Sequence, residues 1–352
     1  MNHLVIMAGG VGSRFWPMST PVRPKQFIDV LGVGKTLLQL TAERFAGICP
    51  IENVWVVTSG KYRELVREQL PEIPGENILS EPCMRNTAPC IAYAVWKIKL
   101  KDPQANLVVS PADHLVMDVA EFRRVIRKGL DFIAESDRIL TLGILPVRPE
   151  TGYGYIKVKG AGNQESEIFE VEGFREKPEL EVAEQYLKTG GYYWNAGIFL
   201  WNVRTIEKAF RRYRPSLASL FDDISISFNT DGEQDIINAR YQKCDHISID
   251  YAIMEKAENI YVFPADFGWS DLGTWGTLYR QMPKDEKQNA VVGKSVRMID
   301  SANCLVHVPD GKQVIVEGLD DYIVAEKEGN LLICRKINEQ RIKDFYKSEG
   351  DY

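Results

Sequence analysis

The sequence lacks the features that would indicate a nucleic acid or a membrane as its partner. Its 352 residues carry 43 Lys and Arg against 49 Asp and Glu, for a formal net charge of −6 at pH 7. Both partners need a basic face, which this balance disfavours. No apolar run approaches the roughly 18 residues that span a bilayer, and the N-terminus has no secretory signal pattern. We therefore expect a cytoplasmic protein with neither partner.

Cysteine is scarce and scattered along the chain. The six cysteines show neither zinc-ligand spacing nor the density of a disulfide framework, so we predict free thiols that are buried or partly buried. Hydrophobic residues make up 45% of the chain, which also has no low-complexity segment. This composition and length predict a main domain with a large core and a smaller second domain.

The glycine-rich segment that follows the first apolar strand lacks the dinucleotide fingerprint. Residues 8–14 read Ala-Gly-Gly-Val-Gly-Ser-Arg, without a third glycine that opens a helix, so hydride transfer is disfavoured. Three glycines instead allow backbone N–H groups to face an anion, and the side chains of Arg14 and Lys25 add positive charge. The segment, together with Lys25, predicts a nucleoside triphosphate site. The residues predicted to line this site are Ala8, Gly9, Gly10, Gly12, Ser13, Arg14 and Lys25. A glycine-rich turn with two solvated cations is the alternative.

A second glycine-lysine segment, residues 32–36, resembles only the end of a Walker A loop. Asp29 stands at its first glycine position, and no apolar strand leads directly into it. We interpret it as a turn in which Thr36 caps the following helix.

Apolar strand-like runs alternate with helical patterns in the first part of the chain. Helical spacing covers 36–48, 61–70, 87–100 and 119–136, between strands near residues 4–7, 54–57, 78–79, 107–109 and 139–145. This alternation predicts an α/β fold with a mainly parallel central sheet, whose strands end at one ligand-binding edge. Short strands from about residue 285 indicate a small β domain or β-solenoid fragment that ends in a helix. The predicted domains are 1–284 and 285–352.

Two aspartates are candidate magnesium ligands. Asp113 follows the strand at 107–109, and Asp271 lies in a Gly/Trp-rich loop before a helix. Triphosphate chemistry needs Mg²⁺, which takes one or two carboxylates while phosphates and water complete its shell. The alternatives are a turn cap for Asp113 and a helix N-cap for Asp271.

Two further segments combine polar groups with aromatic neighbours and suit a sugar phosphate. Glu176 and Asn195 offer acceptors and donors for hydroxyls, and Lys177 offers a cation for the phosphate. Gly152 lies in a loop where backbone can approach a ligand. A solvated Glu-Lys pair and a hairpin turn are the alternatives.

The segment after the third strand predicts a base-recognition loop with Glu81, Asn86 and Thr87. Among the common bases, guanine alone presents two adjacent donors, N1–H and the 2-amino group, to which a carboxylate is complementary. Glu81 therefore favours GTP over UTP or dTTP.

Taken together, the segments 8–17, 24–27, 81–89, 176–178, 194–197 and 269–271 resemble the bacterial mannose-1-phosphate guanylyltransferases of the sugar nucleotidyltransferase family, in their short, monofunctional form. The resemblance covers about residues 1–335. It implies a Rossmann-like nucleotidyltransferase domain followed by a small left-handed β-helical domain, and a cytoplasmic homodimer.

By the same resemblance, the substrates are GTP and mannose 1-phosphate, and the products are GDP-mannose and pyrophosphate. The resemblance implies catalytic roles for Arg14, Lys25 and Lys177 on the phosphates, and for Mg²⁺ on Asp113 and Asp271. Two alternatives stay open: another sugar 1-phosphate, such as glucose 1-phosphate, or a non-catalytic regulatory subunit that binds a nucleotide sugar.

Overall fold

The computed structural model describes residues 1–10, 12–160 and 167–347. Their contacts divide the chain into two units. The first contains Met1–Gly9, Thr41–Ala112 and Val116–Trp269, and the second contains Gly10–Leu40, Asp113–Leu115 and Ser270–Tyr352. The domain boundary placed at residue 285 stays a prediction.

The secondary structure confirms the predicted alternation of strands and helices. In chain order the strands are β1 (Asn2–Met7), β2 (Val54–Ser59), β3 (Ile78–Glu81), β4 (Asn106–Pro111), β5 (Leu115–Val116), β6 (Ile139–Ile144), β7 (Tyr155–Val158), β8 (Phe169–Arg175), β9 (Tyr192–Asn202), β10 (Ile260–Ala265), β11 (Trp269–Ser270), β12 (Ala290–Val292), β13 (Val296–Ile299), β14 (Leu305–His307), β15 (Val314–Glu317), β16 (Tyr322–Lys327) and β17 (Asn330–Arg335). The α-helices are α1 (Leu37–Arg44), α2 (Arg63–Gln69), α3 (Thr87–Lys101), α4 (Val119–Ile133), α5 (Leu180–Thr189), α6 (Val203–Tyr213), α7 (Pro215–Ser225), α8 (Glu233–Arg240), α9 (Trp275–Gln281) and α10 (Ile342–Lys347).

The first unit is built on a nine-stranded sheet in the order β3-β2-β1-β4-β9-β6-β10-β8-β7. β1, β2, β3 and β4 run parallel, and their apolar residues are almost completely buried, as expected for strands covered on both faces. Met7 and Pro111 are register partners, so β1 and β4 end at the same edge.

The expectation of a mainly parallel sheet is corrected, because the sheet is mixed. β9 runs antiparallel to both β4 and β6. Its eleven residues are long enough to pair with these strands and also with β7. Strand direction depends on how the long segment between β6 and β9 folds back, which local sequence patterns do not encode.

Helix α3 lies in the main core of the first unit. Its residues Ile91, Tyr93 and Val95 are buried among side chains of the sheet and of α6 and α7. Asp118 caps α4 by accepting a hydrogen bond from the Glu121 N–H at 2.9 Å.

Short parallel strands form the β-rich part of the second unit. β12, β14 and β16 stack in register as parallel neighbours, with β17 antiparallel to β16, while β13 pairs in parallel with β15. This confirms the β-rich C-terminal region, whereas its left-handed helical coiling stays a prediction. A 3₁₀ turn, Lys336–Arg341, and α10 follow, where sequence reasoning predicts a single helix.

The core of the second unit joins segments that are distant in sequence. Phe15 and Leu37 from its N-terminal part share one apolar cluster with Trp275, Leu305 and Ile323. The rings of Phe15 and Trp275 lie 5.1 Å apart. The small β strands therefore share a core with residues at and before the start of α1.

The turn before α1 has the predicted cap. Thr36 Oγ1 accepts from the Gln39 N–H at 3.3 Å, and Gln39 Oε1 accepts from the Thr36 N–H at 2.9 Å, which is a capping box. Asp29 accepts from the N–H groups of Val33 and Gly34, so this segment is a turn as predicted.

The six cysteines are free, as predicted. Among the described residues, no helix is both long enough and apolar enough to cross a bilayer.

Candidate active site

The glycine-rich segment is divided between the two units, and each part is held within its own unit. In the first unit, the Ala8 N–H donates to the Val57 carbonyl at 2.8 Å. In the second unit, the Gln26 amide donates to the Gly10 carbonyl at 2.8 Å. Gly12 has a φ of 57°, and a Cβ there would lie 2.7 Å from the Cβ of Lys25. Only glycine satisfies both constraints.

Arg14 and Ser13 are two predicted phosphate ligands of this segment, and the structure describes the side chain of Arg14 but not that of Ser13. Arg14 lies in the 3₁₀ turn Ser13–Phe15 and is exposed, which leaves its guanidinium accessible to an anion. The predicted contact of Ser13 would use a side chain that lies outside the described part of the chain.

Lys25 is the most constrained charged residue of this site. The residue is 4% exposed. Its Nζ lies 2.9 Å from Asp113 Oδ2, and it donates to the carbonyls of Asp271 at 2.9 Å and Leu272 at 3.0 Å. An ammonium has three N–H donors, and these three acceptors match that number. The structure therefore brings together Lys25 and both predicted metal ligands.

The environment of Asp113 favours its ionised form. Burial would raise the pKa of this carboxyl, but the charge of Lys25 and its hydrogen bond, together with His114, hold the pKa below its usual value. Asp113 does more than cap a turn, because its carboxylate forms an ion pair with Lys25.

The alternative for Asp271, the N-cap of α9, is excluded. Thr274 is the N-cap, since its hydroxyl accepts from the Thr277 N–H at 3.2 Å. Asp271 Oδ1 accepts from the Gly273 N–H at 3.1 Å.

Asp113 and Asp271 stay predicted ligands of Mg²⁺, and the residue types present are ones that this ion accepts. Asp113 and Asp271 supply carboxylate oxygens, and Lys25 contacts the carboxylate of one and the carbonyl of the other. Within the described residues there is no group of three or more His, Cys, Asp and Glu arranged to hold a metal. Magnesium needs no such cage, because it keeps several waters and takes substrate phosphates as ligands.

In the first unit, Glu81 is buried at the end of β3. It is 5% exposed, and the Tyr241 hydroxyl donates to Oε1. A Cβ on Gly9 would lie 3.5 Å from Oε2, so this oxygen lies beside Gly9, which belongs to the same unit. Burial raises the pKa of Glu81 to about 7, against the opposing effect of the Tyr241 hydrogen bond. Sequence reasoning missed Tyr241, because nothing near it in the sequence indicates a carboxylate partner.

Asn86 and Thr87 have structural partners at the start of α3. Asn86 Oδ1 accepts from the Thr87 N–H at 2.8 Å as the N-cap. Thr87 Oγ1 accepts from the Ile249 N–H at 2.8 Å. Their contacts with a nucleotide stay predictions.

A second group of polar side chains in the first unit includes the residues that the sequence predicts to bind the sugar phosphate. We call Thr141, Glu176, Lys177, Asn195 and Asp250 the carboxylate cluster. Glu176 is 8% exposed, and its Oε1 accepts from Lys177 Nζ at 2.7 Å. A merely solvated Glu-Lys pair is therefore excluded for Glu176, while Lys177 remains exposed.

Asn195 links two further members of the carboxylate cluster. Its Oδ1 accepts from the Thr141 hydroxyl at 2.9 Å and from the Gly197 N–H at 3.1 Å, while its Nδ2 donates to Asp250 Oδ1 at 3.0 Å. Burial and then the charge of Glu176 raise the pKa of Asp250 to about 7.

Sequence reasoning missed Asp250. It lies in the π-helical turn Asp250–Met254, a rare conformation without a sequence signature. Gly152, by contrast, is exposed, and its N–H donates to Glu150 Oε1 at 3.2 Å, so the predicted sugar contact of Gly152 stays a prediction.

The profile of the nucleotidyl transferase family matches residues 3–288 of this chain. The chain belongs to this family. The profile spans both the glycine-rich segment and the carboxylate cluster, so the polar groups described above lie in the part of the chain that defines a nucleotidyltransferase.

The curated relatives of this nucleotidyltransferase confirm the resemblance found in the motifs. Mannose-1-phosphate guanylyltransferase 2 of Escherichia coli O157:H7 is 35% identical over 351 residues, which cover 96% of this chain and 71% of that protein. The alginate biosynthesis protein AlgA of Pseudomonas aeruginosa is 35% identical over 349 residues, covering 97% and 71%. The chain is therefore an enzyme of this family, and the non-catalytic alternative is not supported.

Solved structures agree with this family membership. A Thermus thermophilus structure described as a mannose-1-phosphate geranyltransferase has a TM-score of 0.89 and 32% identity, with 99% of each chain covered. A Helicobacter pylori structure described as a mannose-6-phosphate isomerase shares the fold, with a TM-score of 0.61 and 23% identity over 76% of this chain and 99% of that one.

Proposed function

We propose that this nucleotidyltransferase transfers GMP from GTP to mannose 1-phosphate, giving GDP-mannose and pyrophosphate. The observation that carries the proposal is the similarity, over 96% of the chain, to relatives named mannose-1-phosphate guanylyltransferase. The buried Glu81 supports the nucleotide part of the proposal, because its carboxylate can accept from the two adjacent donors of guanine.

In the proposed reaction, an oxygen of the sugar phosphate attacks the α-phosphorus of GTP in line. The new P–O bond forms as the bond to the bridging oxygen breaks, and pyrophosphate leaves with the electron pair. The attacking phosphate is already anionic, so no enzyme nucleophile is required. The protein contributes positioning and charge neutralisation.

The charged side chains divide this work. Exposed Arg14 and the backbone of the glycine-rich segment would bind the triphosphate, and exposed Lys177 would bind the sugar phosphate. Asp113 and Asp271 would hold Mg²⁺, which when bound neutralises charge on the phosphate oxygens. Lys25 can contact the triphosphate only where a phosphate oxygen replaces one of its three protein acceptors, and with those acceptors it orients Asp113 and the 271–272 segment.

The test is pyrophosphate release by the purified protein with Mg²⁺ and GTP. We expect release that depends on mannose 1-phosphate and yields GDP-mannose by mass, with a kcat/KM above that for glucose 1-phosphate. Equal or faster turnover of glucose 1-phosphate would contradict the mannose assignment. A weaker preference for GTP over UTP in Glu81→Gln would support Glu81 as the residue that recognises the base, and an unchanged GTP/UTP ratio would remove it from that role.

Other features implied by the resemblance belong to the same proposal. We propose a homodimer in the cytoplasm, a catalytic domain over 1–284 whose packing is completed by the strands that follow it, and a left-handed coil for the short strands of 285–352. The stacked parallel pairs β12–β14 and β14–β16 support such a coil.

A further inference from the structure

The side chain of Asn195 is held so firmly that it determines the position of Asp250. The Gly197 N–H donates to Asn195 Oδ1 at 3.1 Å, which identifies this atom as the amide oxygen, because a backbone N–H can only donate. The amide nitrogen then lies on the opposite side, where it donates to Asp250 Oδ1 at 3.0 Å. Asn195 thus acts mainly as a support, and Asp250 is the group that it orients.

Asp250 keeps acceptor capacity after this bond is formed. A carboxylate has about four acceptor positions over its two oxygens, and Asn195, the Ser248 hydroxyl and the backbone N–H of Asp250 itself fill three of them, which leaves one for a ligand. The residue is half-buried, so a ligand can reach it, and its carboxyl lies close enough to Glu176 to feel that charge.

Glu176 lies near Asp250, and contacts at both of its carboxylate oxygens determine its orientation. Lys177 holds Oε1, and Oε2 lies against Gly154, where a Cβ would come within 2.5 Å. The Gly154 carbonyl also accepts from the Asn195 N–H at 2.8 Å, which ties the two sides of the cluster together. The absence of a side chain at Gly154 leaves room for this carboxylate.

An aromatic wall lies in the same unit. The ring of Tyr153 packs edge-on against Trp194 at 5.3 Å and against Trp269 at 5.2 Å. Acceptors beside aromatic side chains suit a polyhydroxylated ring, whose hydroxyls donate while its C–H faces pack on apolar surface.

We propose that Asp250 accepts a hydrogen bond from one ring hydroxyl of the sugar 1-phosphate and thereby determines sugar specificity, with Asn195 as its positioning residue. This inference rests on the proposed function. It assigns to Asp250 a part of the hydroxyl recognition that the sequence alone assigned to Glu176 and Asn195, because the Asn195 oxygen and one of its two amide N–H donors already have partners in the protein.

Asp250→Asn is the variant that tests this inference. Asparagine keeps an oxygen for the Asn195 amide and removes a negative charge beside Glu176, so the variant should fold. We expect the KM for mannose 1-phosphate to rise at least about tenfold, the loss typical of a charge-assisted hydrogen bond, with the KM for GTP within about twofold of wild type. Asp131→Asn, on the exposed face of α4, is the matched control.

Deoxy analogues identify the hydroxyl. Wild-type enzyme should lose kcat/KM with one particular deoxy-mannose 1-phosphate, and Asp250→Asn should lose little more with that same analogue, because the two changes remove one interaction. Additive losses with every analogue, or a wild-type KM in a folded Asp250→Asn protein, would overturn the inference while leaving the proposed function intact.

The proposed function fails in a different way. If wild-type protein releases no pyrophosphate in response to mannose 1-phosphate, the reaction assignment is wrong and the inference falls with it. Thermal unfolding of Asp250→Asn separates loss of folding from loss of binding, and Asp250→Ser provides a second variant that lacks the carboxylate.

Discussion

Lys25 illustrates how one buried cation can organise several segments of a unit. Its ammonium contacts the Asp113 carboxylate and two carbonyls of the 271–272 segment, while its Cβ lies against Gly12. The position of Lys25 therefore depends on Gly12, since a side chain at residue 12 would displace the aliphatic part of the Lys25 side chain and with it the ammonium.

We expect Lys25→Met to lower the free energy of unfolding by about 1–3 kcal/mol, because Asp113 loses its cation and two carbonyls lose a donor. Urea unfolding measures this change, with the exposed Lys61→Met as the control. Added Mg²⁺ should restore part of the loss in Lys25→Met, since a second cation can neutralise Asp113. Equal unfolding midpoints for both variants would show that this ion pair contributes no stability.

Glu81 should make stability depend on pH. Its pKa of about 7 in the folded protein lies above its ordinary value of 4.5, chiefly because of burial. Between these values the folded state retains a proton that the unfolded state has released, so stability falls as pH rises from 4.5 to about 7. Glu81→Gln removes this effect.

The difference in unfolding free energy between Glu81→Gln and wild type should therefore grow in favour of the variant across that window. It should level off above about pH 7, at roughly 3 kcal/mol or less. Chemical unfolding at several pH values measures the difference, and Glu64→Gln, which is exposed, should show no such trend. A gap that does not change with pH would contradict the raised pKa.

At the scale of elements, the start of α3 depends on a residue in an unusual conformation. Asn86 has a φ of 68° and a ψ of −171°, a region that glycine occupies far more readily than other residues. Its side chain also caps the helix. The capping hydrogen bond of Asn86 offsets the strain in its own backbone.

We expect Asn86→Ala to lower stability by about 1–3 kcal/mol, because alanine loses the cap and keeps the strain. Asn86→Gly loses the cap but relieves the strain, so its loss should be smaller. Thermal unfolding of the two variants ranks them, and a glycine variant less stable than the alanine variant would contradict this account.

At the scale of the whole molecule, the C-terminal strands complete a core that begins near the N-terminus. Phe15, Leu37 and Trp275 share an apolar cluster with Leu305 and Ile323. A boundary in the sequence at residue 285 therefore does not coincide with a break in this core.

Removing residues 285–352 should leave Phe15, Leu37 and Trp275 without part of their packing. We expect the shortened chain to aggregate or to unfold at a clearly lower temperature than the full chain, because a large apolar surface becomes exposed. Light scattering and thermal unfolding measure this outcome. A monodisperse shortened protein with the unfolding temperature of the full chain would show that 1–284 folds independently.

Local chemistry explains which features the sequence predicted well. The strands β1, β2 and β4 are continuous apolar runs, and Thr36 stands three residues before its capping partner. These features depend on residues close together in the chain, so a linear pattern contains them. The motifs that resemble guanylyltransferases are also local, and the relatives confirm the family.

By itself, the sequence determined the α/β class, the β-rich tail, the family and the segments that supply polar groups. Only the tertiary structure decided that β9 runs antiparallel, that Tyr241 meets Glu81 and that Lys25 meets Asp113. It also decided that the Asn195 amide donates a hydrogen bond to Asp250. These pairs join residues far apart in the chain, and their formation depends on how elements pack rather than on the propensities of neighbouring residues.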